Sequence, residues 1–190
     1  MKYKLVAFWL VVFGALFAFL QTRFEYHFYY IEQSQLFLFS EAYIRNKLVL
    51  PGGFSMLVAE FFVQFFIRPY VGALVTAALL TGVGICTAGI VKRIASASGL
   101  FILYVQPMLA LLFMHFDFNY RVQGTVCYLM MTALLCGYMR IRNDLFRLVA
   151  GCVLVPVLFW LAGSIAVLFA GMICLFEGLR KTPKWYISLI

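Results

Sequence analysis

The sequence predicts an all-α integral membrane protein: a polytopic helical bundle of about six transmembrane helices, with two interfacial helices in its first outer loop. Two observations predict this fold. The 190 residues are 65% hydrophobic and only 12% charged, whereas a soluble domain carries about 25% charged residues. The mean hydropathy of +1.00 is too high for a polar surface to cover the chain, so lipid is the expected solvent for most of it.

Six apolar segments approach the roughly 20 residues that a helix needs to cross the hydrocarbon layer. The first follows MKYK and precedes no small-residue cleavage site, so we interpret it as an uncleaved signal anchor. The last two are nearly continuous, which allows one long helix bent at Pro156 or a hairpin that turns at Gly163-Ser164. Residues 1–190 therefore form a single transmembrane domain. The segments cover residues 3–20, 70–91, 99–116, 122–139, 145–162 and 164–178.

The basic residues favour the hairpin, because cytoplasmic loops carry an excess of Lys and Arg. With a cytoplasmic N-terminus, the inside bases are Lys2, Lys4, Lys92, Arg93, Arg140, Arg142, Arg147, Arg180, Lys181 and Lys184. The outside bases are Arg23, Arg45, Lys47, Arg68 and Arg121. A single long helix would place Arg180, Lys181 and Lys184 outside. The cytoplasmic side would then have no excess of basic residues. We predict a multi-pass protein of the bacterial inner membrane, with the lipid bilayer as its main partner.

The net charge of +8 does not indicate nucleic acid as a partner. The basic residues lie at the ends of apolar runs and form no continuous stripe. At the other end of the chain, Trp185-Tyr186 and the aliphatic residues after them resemble the start of a further span. We therefore expect residues 1–190 to be the N-terminal part of a longer protein.

The first outer loop, residues 21–69, is long and nearly as apolar as the spans. Pro51-Gly52-Gly53 divides it into two predicted helices at the outer membrane interface. These cover about Tyr29–Leu48 and Phe54–Ile67. On the first helix, Glu41 and Arg45 are spaced as an ion pair. The opposite face carries Glu32, Gln35, Phe39, Tyr43 and Asn46.

The carboxylates of the outer loops are the candidate functional groups. An unpaired carboxylate near lipid is costly and is by default a functional hypothesis, so Glu32 is the first candidate. Glu60 and Gln64 repeat the arrangement of an acid and an amide one turn apart. The alternative is that both acids face water at the outer surface. In the second outer turn, Asp117 and Arg121 pair with each other or meet the first loop.

Two carboxylates are predicted to be structural. Asp144 lies among Arg140, Arg142 and Arg147 and balances charge at a cytoplasmic turn. Glu177 precedes Arg180 by three residues, a spacing that suits an ion pair at a helix end.

YIEQSQLFLFSEAY and LPGGFSMLVAEFFVQFFIRPYVGAL resemble the N-terminal part of a large, functionally uncharacterised family of Bacteroidota integral membrane proteins. The matching region is roughly residues 26–80. This resemblance implies a domain of unknown function that continues into further spans and a soluble C-terminal part.

The architecture also resembles the GT-C glycosyltransferases, which have a first span, a long outer loop with an acidic residue, and then many closely joined spans. That resemblance implies a polyprenyl-phosphate-linked substrate. It makes Glu32, or else Glu25, the catalytic base and Asp117 a second acid. It also makes Arg68 and Arg121 phosphate ligands. Gln35, Glu60 and Gln64 are the further candidate substrate-binding residues.

The usual Asp-Glu or DxD signature of that group is replaced by IEQSQ and DFN, and the five cysteines have no ligand spacing. We therefore predict no metal ion and no cofactor. The alternative to a transferase is a non-enzymatic scaffold or subunit of an envelope assembly or export complex, with a protein partner on the outer-loop helices. A transporter is the third interpretation, and the spans offer only Gln106-Pro107 and Gln123 for it.

Overall fold

The computed structural model describes residues 2–94 and 101–181, and within them every regular element is an α-helix. The predicted span after Lys184 lies outside the described residues. The helices are α1 (Lys2–Arg23), α2 (Glu25–Ser34), α3 (Glu41–Leu48), α4 (Gly53–Val63), α5 (Val71–Ile94), α6 (Phe101–Met114), α7 (Val122–Tyr138), α8 (Asp144–Ala162) and α9 (Ile165–Lys181).

The predicted class, a helical membrane protein, is confirmed, because a helix occupies each of the six predicted span positions. Among the described residues, α1, α5 and α8 are long and apolar enough to cross a membrane. Helices α6 and α7 are also apolar but shorter, with 14 and 17 residues. Many large apolar side chains of these helices are exposed, as expected of surfaces that face lipid.

Helix α5 lies at the centre of the bundle and packs against α1, α2, α6 and α7. Two of its glycines make this close approach possible. A Cβ at Gly84 would lie 2.7 Å from the ring of Trp9 on α1, and a Cβ at Gly72 would lie 2.6 Å from Phe28 on α2. Small residues bring helices together in lipid, where the hydrophobic effect provides no drive between them.

Helices α8 and α9 form the hairpin that the basic residues favoured. The chain reverses at Gly163, whose φ of +71° suits glycine alone. Pro156 lies inside α8 and does not end it. The two helices thus run antiparallel and pack along their length.

An ion-pair network closes the open end of this hairpin. Arg147 is 3% exposed and forms two hydrogen bonds to the carboxylate of Glu177. Its guanidinium also lies 2.9 Å from Asp144, which in turn pairs with Arg180 at 2.9 Å. The predicted pairing of Glu177 with Arg180 is wrong, because the antiparallel register brings Arg147 of the neighbouring helix to Glu177.

The first loop differs from the prediction in one important respect. Residues 35–40 are not helical, so the single predicted helix over Tyr29–Leu48 is wrong. Phe37 and Phe39 both pack edge-on against Phe61 of α4, and these contacts outweigh helix continuation. Ser40 then caps α3 by accepting a hydrogen bond of 3.2 Å from the Tyr43 N–H.

The five residues that were predicted to share one face therefore lie on three segments. Glu32 is on α2, Gln35 and Phe39 are in the non-helical residues 35–40, and Tyr43 and Asn46 are on α3. The predicted ion pair on the opposite face is also not formed. Glu41 and Arg45 are both exposed, and no ion pair joins them in the described part of the chain.

The bundle has two ends of different character. The loop end comprises residues 21–69, 115–121 and 163–164. The basic end comprises residues 92–94, 139–147 and 177–180. The Arg93 guanidinium donates to the Met139 carbonyl at 2.9 Å, which joins α5 to the turn after α7 at the basic end. At the loop end, α4 packs into the bundle against α7 and α8.

Candidate functional site

The site is built around the carboxylate of Glu60 on α4. Glu60 is 6% exposed, and its two carboxylate oxygens accept hydrogen bonds from the Tyr43 hydroxyl and the Lys47 ammonium. The Lys47 distance is 3.1 Å. A buried carboxylate with both oxygens engaged is held in one orientation, as a positioned functional group must be.

The Pro51-Gly52-Gly53 turn makes this arrangement possible. A Cβ on Gly53 would lie 1.7 Å from the Lys47 carbonyl oxygen, so only glycine lets α3 and α4 approach this closely. Gly52 adopts a φ of +80°, in the left-handed region that glycine tolerates. The turn therefore sets Tyr43 and Lys47 of α3 directly against Glu60 of α4.

The proton on Tyr43 is tightly held. Burial and the hydrogen bond to Glu60 raise the pKa of Tyr43 to about 12. The phenol is therefore neutral over the physiological range and acts as a hydrogen-bond donor to the carboxylate.

Glu60 opens onto a cavity of about 210 Å3 at the loop end, which we call the first cavity. Five of its lining residues carry polar side chains: Ser34, Gln35, Glu60, Arg121 and Gln123. The other lining residues are Leu36, Met56 and Ala59.

The second cavity adjoins the first and has a volume of about 560 Å3. The two cavities share Arg121 and Gln123, so these side chains form the wall between them. One part of the second cavity is polar and the rest is apolar. Its other lining residues are Tyr120, Gly124, Cys127, Ala162, Ser164, Ile165 and Leu168.

The shared wall is fixed to the first loop by hydrogen bonds. Gln123 donates through Nε2 to the Gly52 carbonyl and to the Ser55 hydroxyl, both at 3.3 Å. Ser55 is fully buried, and its hydroxyl also accepts a hydrogen bond from the Cys127 thiol, with a distance of 3.1 Å between sulfur and oxygen. Arg121 immediately precedes α7, is exposed, and forms no ion pair within the described residues.

The structure brings together three of the residues predicted from the sequence, namely Gln35, Glu60 and Arg121. Arg121 and first-loop residues line the same cavity, whereas Asp117, predicted to meet the first loop together with Arg121, is not in that lining. Glu32 is half-buried on α2 and lies outside the lining of both cavities. Gln64 ends α4 one turn after Glu60, and its buried Nε2 has no partner in the described part of the chain.

The remaining candidates lie elsewhere. Glu25 and Arg68 line a separate cleft of only about 10 Å3, which is room for a single water molecule. Asp117 is exposed, and its carboxylate accepts the Asn119 N–H at 2.9 Å. It forms no ion pair with Arg121 in the described residues.

Sequence reasoning missed Lys47 as the partner of Glu60, and it missed Gln123 as part of a binding wall. The available signal was the Pro-Gly-Gly turn between Lys47 and Glu60, which forces the two helices to fold back on each other. Within residues 2–94 and 101–181, no cluster of three His, Cys, Asp or Glu side chains can hold a metal ion.

Comparison with known proteins places the chain without assigning an activity. No curated protein matches it, and no solved structure matches it. A family model described as a family of unknown function, DUF6057, matches residues 1–190. Because the match covers the whole chain, the protein belongs to the DUF6057 family.

Proposed function

We propose that this chain is an inner-membrane transferase domain that moves a glycosyl or related group from a polyprenyl-phosphate-linked donor at its loop end. The observation that carries the proposal is the meeting of two charged groups on the walls of one cavity. These are the buried, positioned carboxylate of Glu60 and the guanidinium of Arg121, which forms no ion pair within the described residues. The GT-C-like order of a first span, a long acidic loop and closely joined spans supports it as a fold-level analogy.

Each residue has a distinct role in the proposed reaction. An acceptor hydroxyl attacks the carbon that is bonded to the donor phosphate oxygen, and the bond between that carbon and oxygen breaks. Its electron pair leaves on the phosphate, and the hydroxyl proton passes to Glu60. Arg121 binds the phosphate through charge-assisted hydrogen bonds. A positioned general base of this kind typically contributes about 10²–10⁴-fold in rate.

The choice of Glu60 as base follows from its position. Glu32 was the first candidate from the sequence, and the proposal assigns the role of base to Glu60 in its place. Glu60 is favoured because it shares the first cavity with Arg121, Gln123 and Gln35, whereas Glu32 lines neither cavity. Tyr43 and Lys47 are positioning residues, since they hold the Glu60 carboxylate.

The bacterial inner membrane with a cytoplasmic N-terminus is part of the same proposal, as is the Bacteroidota origin. The clustering of Arg93, Arg140, Arg147 and Arg180 at one end of the bundle supports this orientation under the positive-inside rule. The site then faces outward.

The test measures release of polyprenyl phosphate by mass spectrometry. The protein in nanodiscs is mixed with a panel of polyprenyl-phosphate-linked sugars, and membranes from a strain that lacks the gene supply the acceptor. We expect the wild-type protein to release polyprenyl phosphate and Glu60→Gln to reduce the rate by about 100-fold or more. Glu32→Gln is the matched carboxylate control and should keep the wild-type rate.

Wild-type protein that releases nothing from any donor would reject the transferase. Loss of activity in Glu32→Gln, with full activity in Glu60→Gln, would reject the role of Glu60 and support the original assignment.

A second candidate is a non-enzymatic scaffold. It is favoured by helix α3, which has no buried residue, and by exposed apolar side chains beside it such as Leu36, Phe39 and Val49. These could dock a membrane partner. Crosslinking that finds a stable partner on residues 28–66, with both Glu32 and Glu60 dispensable for growth, would support the scaffold over the enzyme.

A further inference from the structure

A chain of hydrogen bonds leads from a buried histidine to the wall of the second cavity. His115 is 2% exposed, and its Nε2 lies 2.9 Å from the Thr125 hydroxyl. Thr125 is fully buried, and its hydroxyl lies 3.1 Å from that of Tyr120. Tyr120 lines the second cavity beside Arg121.

The position of Tyr120 is fixed from two sides. Its ring packs edge-on against the His115 ring, with the ring centroids 4.9 Å apart and an angle of 78° between the planes. A Cβ added to Gly124 would lie 2.6 Å from the Tyr120 hydroxyl oxygen. Glycine at position 124 therefore provides the space in which this hydroxyl reaches Thr125.

The chain has a preferred direction, which follows from the other nitrogen of His115. Nδ1 is buried and has no hydrogen-bond partner among the described residues. If Nδ1 carried the proton, a donor would be buried without an acceptor, which proteins strongly avoid. The proton therefore belongs on Nε2, which donates to Thr125.

The Thr125 hydroxyl can accept from Nε2 and still donate its own proton, and either oxygen of the Thr125–Tyr120 contact can be the donor. With Thr125 donating to the Tyr120 oxygen, the Tyr120 proton is directed to a partner in the second cavity. Burial raises the pKa of Tyr120, so this phenol stays a neutral donor at physiological pH.

We propose that the second cavity binds a phosphate group, which receives hydrogen bonds from the Tyr120 hydroxyl and the Arg121 guanidinium. Two donors meet at its polar wall, and α7 begins there with no acidic residue in its first turn. The positive end of the α7 dipole adds to the attraction for an anion. Ile165 and Leu168 on α9 provide an apolar surface for a hydrocarbon chain attached to that phosphate.

This inference deepens the proposed function, because it places the phosphate and the first part of the hydrocarbon chain of the donor in the second cavity. It also identifies Tyr120 as a phosphate ligand, with Thr125 and His115 as positioning residues. The acceptor then approaches from the first cavity, across the wall formed by Arg121 and Gln123.

The test is equilibrium binding to the full chain in nanodiscs, with no acceptor present. Farnesyl phosphate is the probe, and farnesol and glycerol 3-phosphate are the comparisons. We expect farnesyl phosphate to bind and farnesol to bind much more weakly. Tyr120→Phe and Arg121→Gln should each weaken farnesyl phosphate binding by about tenfold or more, since a hydrogen bond to a charged group is lost.

Two matched controls separate the site from general effects. Tyr128→Phe removes a hydroxyl elsewhere on α7, and Arg45→Gln removes a positive charge from the exposed face of α3. Both should bind farnesyl phosphate as the wild type does. Thr125→Val keeps the shape of the side chain but breaks the chain to His115, and it should weaken binding in the same direction as Tyr120→Phe.

Each result decides the proposal. Equal binding of glycerol 3-phosphate and farnesyl phosphate, with the same loss in Tyr120→Phe and Arg121→Gln, would identify a soluble phosphate compound as the ligand. No phosphate-dependent binding, or binding that neither variant weakens, would overturn the proposal. Wild-type protein that binds farnesyl phosphate in this way but transfers no group in the assay above would reject the proposed function while leaving the phosphate site in place.

Discussion

The Gly52 N–H donates a hydrogen bond of 2.9 Å to the Trp160 carbonyl, and this contact joins the first loop to the end of α8. A second bond of 3.0 Å runs in the opposite direction, from the Trp160 indole to the Leu48 carbonyl. The loop that carries Glu60 is therefore fastened to the α8–α9 turn, more than one hundred residues away in sequence. This fastening holds the first loop beside Ala162 and Ser164, which line the second cavity.

Replacing the glycines of this junction should destabilise the fold. Gly52→Ala places a side chain in the left-handed region, which costs about 1–2 kcal/mol, and its Cβ would lie 3.3 Å from the Gly163 backbone. Gly163→Ala meets a φ of +71° with a ψ of −140°, and strain there costs on the order of 1–3 kcal/mol. Thermal unfolding in detergent should show a lower Tm for both variants.

Gly171→Ala on α9 is the control, because a Cβ there would meet nothing within 4 Å. It should leave the Tm unchanged or raise it, since alanine favours helix over glycine. A Gly52→Ala variant as stable as Gly171→Ala would contradict the role assigned to the junction.

The Tyr43–Glu60 contact should make stability depend on pH at high pH. The pKa of Tyr43 is raised in the folded protein to about 12, from about 10 in the unfolded chain. Its contribution is therefore complete below about pH 10 and is lost as pH rises towards 12. The difference in stability between wild type and Tyr43→Phe, followed by chemical unfolding, should shrink over that window.

The matched control for this measurement is Tyr26→Phe, because Tyr26 is 89% exposed on α2. The difference in stability between wild type and Tyr26→Phe should stay constant between about pH 10 and pH 12. If the Tyr43→Phe difference is also constant, then Tyr43 does not hold Glu60 in the way described.

The Arg147–Glu177 pair should be strongly coupled. Removing one partner leaves the other charge in a largely buried setting, which typically costs about 3–5 kcal/mol, less the share that water screens at the partly exposed Glu177. Arg147→Met and Glu177→Gln should each lower stability substantially. The loss in the free energy of unfolding of the double variant should be clearly smaller than the sum of the losses of the two single variants. A loss equal to that sum would show that the pair is not coupled.

The spans and the hairpin could be predicted because hydropathy and charge distribution report on the solvent of each segment. The break between α2 and α3 could not, because residues 29–48 have a periodicity that suits a continuous helix. The packing of Phe37 and Phe39 on Phe61 of α4 decided against it, and that contact is long-range. Ser40, a good N-cap residue, was the one local signal of a new helix start.

Long-range contacts also explain why the geometry of the site could not be predicted from the sequence. Glu60 and Arg121 were both found as candidates from their residue types and surroundings. Glu60 and Arg121 line the same cavity because α3 and α4 pack closely at Gly53 and because α4 packs against α7. Neither contact can be read from the sequence alone. The pairing of Arg147 with Glu177 depends likewise on the register of α8 and α9, which no spacing within one helix reveals.

Photolabelling tests the location of the site most directly. A polyprenyl phosphate that carries a photoreactive group beside its phosphate is bound to the protein in nanodiscs, and the labelled residues are identified by mass spectrometry. The account predicts labelling of residues 120–127 and 162–168, with unlabelled polyprenyl phosphate displacing the probe and polyprenol failing to do so. Labelling that is not displaced, or that is confined to the exposed side chains Ile102, Leu109 and Phe113 of α6, would contradict it.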